Sequence, residues 1–215
     1  MKYMILLCTL LFTMGNLKAQ HLLSGWRAGL NTKIIKADFK DSDANKKFAE
    51  NSHYGLGLDV GVFKDFTLNE RLFIRTLGDY QLRTSKETKN KYFISSLNLR
   101  GHINYKLSNK VTVFGGLGFG YIFNALRNFE ILRTTLDNPS GALGTIERTV
   151  NANHLFNAFE MQGELGLLHD IGEKWQFEFK FSRGLNNLSE LDDYTSRFQT
   201  FSFSIIKKIG SVTKD

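Results

Sequence analysis

The sequence has a single cysteine and a single proline in 215 residues. Cys8 has no second thiol to pair with, so an intrachain disulfide is excluded, and so is any zinc site built from several cysteines. With Pro139 alone, nearly every backbone N–H is free to donate to a hydrogen-bonded ladder. Long apolar runs are scarce as well. The one clear case, Met4 to Met14, falls short of the roughly 20 apolar residues that a transmembrane helix requires.

That short run has Lys2 before it and Lys18, Ala19 and Gln20 after it, the layout of an export signal. The expected division is a signal peptide over residues 1–19 and one outer-membrane β-barrel domain over residues 20–215. Cys8 lies inside the apolar run and not at its end, so lipid attachment is not expected. Net charge is +7, and residues 1–19 hold Lys2, Lys18 and no acid, which leaves +5. The charges are scattered along the chain without a basic stripe, and export removes the chain from nucleic acid.

What is abundant is glycine and phenylalanine, 19 of each, in two-residue alternation. Such alternation marks strands with two unlike faces. Trp26, Ala28 and Leu30 oppose Arg27, Gly29 and Asn31; Leu56, Leu58, Val60 and Val62 oppose Gly55, Gly57, Asp59 and Gly61. Leu72, Ile74, Tyr80 and Leu82 oppose Arg75, Asp79, Gln81 and Arg83, and Leu97, Leu99, Ile103 and Tyr105 oppose Ser96, Asn98, Arg100, His102 and Asn104. Similar patterns follow around Val113 to Phe123, Phe159 to Leu167, Trp175 to Phe181 and Phe201 to Ile205. About eight segments result, each near the 9–11 residues of a tilted membrane strand.

Short links near Asn69, Ser108 and Gly172 alternate with longer polar ones over 37–53, 85–91, 127–153 and 187–196. This is the segregation of an eight-stranded antiparallel up-and-down transmembrane barrel, with tight turns at the periplasmic end and longer loops outside. Trp26, Tyr105 and Trp175 fall at the turn end of the apolar faces, and Tyr54, Tyr80 and Tyr121 near the loop end, as two interfacial girdles would.

The other face carries Arg27, Asp59, Arg75, Asp79, Arg100, Glu160, Glu164, Glu178 and Lys180. An Arg or Lys at the bilayer midplane costs roughly 2–4 kcal/mol, so these groups must point inward. An eight-stranded barrel is just wide enough for side chains to fill. The expectation is therefore a structural ion-pair network and a plugged interior with no open pore. Glu164 is expected roughly opposite Lys180, and Arg100 and His102 opposite Gly118 and Gly116.

No motif carries chemistry. Gly116, Gly118 and Gly120 lie mid-strand with no following helix, so the dinucleotide-binding reading fails. His21, His53, His102, His154 and His169 are dispersed without metal-ligand spacing, so no metal and no cofactor are expected. A catalytic site would have to draw on His154 with Ser140 or with Glu190, Asp192 and Asp193, and no spacing supports one. The expected protein is not an enzyme. Its expected surroundings are outer-membrane lipid, protein partners through loops 37–53, 127–153 and 187–196, and no second copy of itself.

Residues 26–31 (WRAGLN), 113–121 (VFGGLGFGY), 177–188 (FEFKFSRGLNNL) and 200–205 (TFSFSI) resemble the PorT-type outer-membrane β-barrel family of Bacteroidetes. The resemblance implies an outer-membrane barrel and, from the founding member, a part in protein secretion or envelope assembly. No functional motif matches residue by residue. Ser95, Ser96 and Leu97 stand where the family usually has an Ile-Pro step, and the final residues are not aromatic. Two other classes compete: a lipid-modifying barrel enzyme, and a soluble exported ligand-binding barrel whose apolar faces would point inward.

Overall fold

The computed structural model describes residues 23–39, 54–87, 90–134, 143–189 and 194–209. Residues 1–19, where an export signal is expected, lie outside them. Nine strands are present among the described residues: β1 (Gly25–Phe39), β2 (Tyr54–Thr67), β3 (Leu72–Glu87), β4 (Asn90–Lys106), β5 (Val111–Thr134), β6 (Leu143–Asn151), β7 (Phe159–Ile171), β8 (Trp175–Gly184) and β9 (Tyr194–Lys208). Eight of them close a barrel. The order β4-β3-β2-β1-β9-β8-β7-β5 is completed by pairing of β4 with β5, and every pair is antiparallel.

The alternation of the sequence becomes the two faces of this barrel. Leu56, Leu58, Leu97, Leu99, Ile103, Phe119, Phe159, Leu165, Phe179 and Phe201 are each more than half exposed on its outside. Water-soluble monomers rarely expose so continuous an apolar surface. The charged face is buried inside, which excludes the soluble ligand-binding barrel with inward apolar faces. No helix among the described residues is long and apolar enough to cross a membrane. The crossing is made by strands.

The ninth strand is a departure from the expected loop 127–153. β5 runs on for 24 residues, and its upper part, Leu126 to Thr134, pairs with β6. At about 3.3 Å per residue it measures roughly 80 Å, against an apolar band about 25 Å tall. The other long links shrink for the same reason. Pairing of β1 with β9 continues to Phe39 and Tyr194, and pairing of β3 with β4 continues to Glu87 and Asn90. Polar residues above the membrane read as loop, yet a ladder needs only backbone partners, and solvated ribbons satisfy it. Of loops 37–53 and 187–196, only 37–39, 187–189 and 194–196 are described.

The turn end carries the two tryptophans of the sequence, Trp26 and Trp175, both part-exposed on the outer surface. Their rings meet edge to face at 5.9 Å, and Lys207 Nζ lies 5.4 Å from the Trp175 ring centre. An aromatic pair beside a lysine suits the headgroup layer. In vesicles, tryptophan fluorescence is expected to be quenched more by lipids brominated near the headgroup than near the chain methyl. Equal or reversed quenching would remove this end from the interface.

Candidate functional site: the filled interior and the loop-end mouth

Inside the barrel three layers are stacked along the axis. At the turn end Phe63, Phe73, Leu77, Phe114, Leu168 and Ile206 form an apolar plug. At the loop end Ile94, Ile122, Ala125, Ala152, Leu188 and Phe198 form a second, with Tyr92, Leu155 and Phe156 packed on it. Between the plugs lie the inward charges.

The expected residues are brought together there. Arg27 Nη2 lies 2.6 Å from Asp59 Oδ2 and 3.0 Å from Glu178 Oε1, and Arg27 Nη1 lies 3.6 Å from Asp79 Oδ2. Arg100 pairs with Asp79 through Nε at 2.6 Å and with Glu164 through Nη1. Lys180 Nζ is 3.2 Å from Glu164 Oε1, and Asn98 donates to Asp79 at 2.8 Å. Arg75 sits apart, at the turn end. It holds Asp65 through two hydrogen bonds, at 2.7 and 2.8 Å, and lies over the Phe63 ring. Glu160 is nearer the mouth, where its Oε2 is 2.7 Å from Arg83 Nη2.

Register explains the geometry. Arg100 lies opposite Gly118 and His102 opposite Gly116, and the glycines leave room for the longer side chains. The expected facing of Glu164 and Lys180 is off by two residues: Glu164 lies opposite Ser182, and Lys180 opposite Gly166. The two meet diagonally, because a lysine stem spans the offset. Arg83, His102 and Asp65 join these contacts although they were not among the expected network residues. For Arg83 and His102 the available signal was parity, since each falls on the same strand face as an expected member. His102 Nε2 lies 2.5 Å from Glu164 Oε2, and its ring stacks on Phe114 at 4.6 Å.

The mouth is closed by two links stitched with asparagines. After β6 the chain makes a short 3-10 turn, Asn153–Leu155. Asn153 Oδ1 accepts from the Ala125 N–H at 2.5 Å, and Asn157 Nδ2 donates to the Asn187 carbonyl at 2.9 Å. Asn187 Oδ1 accepts from the N–H groups of Ser189 and Ser196, while Asn186 bonds the backbone of Met161 and Phe159. Each amide takes the place of a ladder partner where the chain leaves its strand. These residues escaped the sequence reading, which took asparagine there as loop composition only.

Of the residues weighed for catalysis, His154 is exposed on the 3-10 turn. Ser140, Glu190, Asp192 and Asp193 lie outside the described residues. Among the described residues no group of three or more His, Cys, Asp or Glu is arranged to hold a metal ion.

A closed antiparallel barrel with an apolar outside and a charged, filled inside is a membrane barrel of the outer-membrane class. The family model for the outer membrane protein beta-barrel domain matches residues 4–205, and the chain belongs to that family. It is a small protein of the bacterial outer membrane. No protein of curated function matches it in sequence. Among solved structures it is similar to Ail, the attachment invasion locus protein of Yersinia pestis, at 13% identity and a TM-score of 0.46, covering 86% of this chain and 97% of that one. It is also similar to Neisserial surface protein A, at 9% identity and a TM-score of 0.49, with 85% and 96% covered. The outer membrane enzyme PagL matches at 10% identity and a TM-score of 0.41, with 85% and 99% covered. Likenesses of this size say nothing about activity.

Proposed function

We propose that this protein is a sealed, non-catalytic outer-membrane barrel that acts through its loop end as an interaction or structural module. The observation that carries the reading is the three-layer interior, in which two apolar plugs flank an ion-pair network. The network of Arg27, Asp59, Arg75, Asp79, Arg100, Glu160, Glu164, Glu178 and Lys180 is then structural: it fills the barrel and holds its strands in register. The β5–β6 ribbon stands beyond the apolar band and offers backbone and side chains to a protein partner. Resemblance to the PorT-type family supports a role in secretion or envelope assembly as the finer form of this reading. The protein acts as a monomer.

Two measurements test the proposal. Reconstituted into planar bilayers, the protein is expected to give no conductance steps above the lipid background; resolved steps would overturn the sealed interior. A photo-crosslinking side chain at Thr149, exposed on β6, is expected to capture a defined envelope protein in intact cells. The same group at Leu99, on the apolar belt, is expected to capture none. No adduct from Thr149, or the same protein adduct from both positions, would sink the loop-end role.

A further inference from the structure

Below the loop-end plug, two strands on either side of β2 bring together polar groups that the network does not use. Asn31 and Lys33 project from β1, and Gln81 and Arg83 from β3; all four are buried. Asn31, Gly57 and Arg83 fall in one row across β1, β2 and β3. Gly57 permits this convergence, because a Cβ there would collide with Asn31 Oδ1. Lys33 Nζ stands 2.9 Å from the centre of the Phe198 ring, and the Arg83 guanidinium 5.0 Å from the same centre. Both cationic heads thus lie against one aromatic ring.

Their hydrogen-bonding capacity is largely unspent. Lys33 Nζ, both amide atoms of Asn31, Gln81 Oε1, and Nε and Nη1 of Arg83 have no hydrogen-bond partner among the described residues. The carboxylate paired with these cations is Glu160, on Arg83. Among the described residues, Lys33 Nζ faces a ring and Arg83 shares Glu160. A buried ammonium without an acceptor is costly, and a ring face satisfies none of its three N–H donors. Arg27, Arg100 and Lys180 of the middle layer each have a carboxylate within 3.2 Å, which Lys33 lacks among the described residues.

We propose that Lys33, Arg83 and the Asn31 amide form a buried site for a small monovalent inorganic anion, of which a halide is the type. The site sits under Phe198. The anion accepts from Lys33 Nζ, Arg83 Nε or Nη1 and Asn31 Nδ2. A compact anion is preferred because all three donors are buried inside the barrel beneath Phe198, where further ligand oxygens would each need a partner of their own.

The test uses the full-length folded protein, refolded from urea into detergent in sodium chloride, sodium bromide or sodium gluconate at equal ionic strength. The temperature at which the folded gel band converts to the unfolded one is expected to be several degrees higher in either halide than in gluconate. Lys33→Met is expected to abolish that difference while leaving a heat-modifiable barrel. Crystals of the unsubstituted protein grown in bromide are expected to show an anomalous peak within hydrogen-bond reach of Lys33 Nζ, which decides the matter even if the variant fails to fold. Equal midpoints in chloride and gluconate, or ordered water and no bromide at Lys33, would overturn the site.

Discussion

Arg100→Met is expected to lower the unfolding free energy by about 3–5 kcal/mol, the usual effect of removing one partner from a buried ion pair. Arg100 is fully buried and bridges two carboxylates from different strands, Asp79 of β3 and Glu164 of β7. Methionine replaces its stem but not its charge, so two buried acids are left to Arg27, Lys180 and His102. Urea titration of the protein in lipid vesicles, followed by the folded fraction on unboiled gels, measures the change. A loss below about 1 kcal/mol would mean that the interior is wet enough to screen the charges. Replacing Arg100 and Glu164 together by Met and Leu is expected to cost less than Arg100→Met alone, because it leaves fewer orphaned charges.

Leu99→Arg is the second large effect. Leu99 is 65% exposed on the outer face of β4. It lies six residues from Tyr105, so at about 3.3 Å per residue and a tilt near 40° it stands roughly 15 Å above the turn-end interface. That is close to the middle of the apolar band, where an arginine costs about 2–4 kcal/mol. Leu107 is 60% exposed but belongs to the turn between β4 and β5. Leu107→Arg is therefore expected to change stability by less than about 0.5 kcal/mol. Equal effects of the two substitutions in vesicles would contradict the placement of the membrane, since in water neither exposed leucine should matter more.

Much of this was legible because a strand repeats every two residues. Leu97 and Leu99 against Asn98 and Arg100 already separate a lipid face from a lumen face, and the same parity assigned Arg27, Asp59 and Glu178 to the inside. Parity is silent about single apolar residues on a polar face. Phe73, Leu77 and Phe114 each break the inward pattern once, and only their convergence at one end of the barrel makes them a plug. The bulge opposite Ser95 and Ser96 is another example. There the pairing skips Phe123, so that Ile122 and Ala125 both turn inward above Gly120. No local pattern marks that step.

The amino-acid sequence by itself determined the strand class, the two faces, the short turns and the sign of each inward charge. These follow from side-chain alternation and from the cost of a charge in hydrocarbon, which are local and additive properties. Tertiary structure alone decided which charges meet, how far the ladders rise above the membrane and which residues close the mouth. Those outcomes depend on register between strands far apart in the chain. Glu164 reaches Lys180 across two residues of offset, Arg100 reaches a carboxylate 64 residues away, and Lys33 is left with a ring in place of an acceptor.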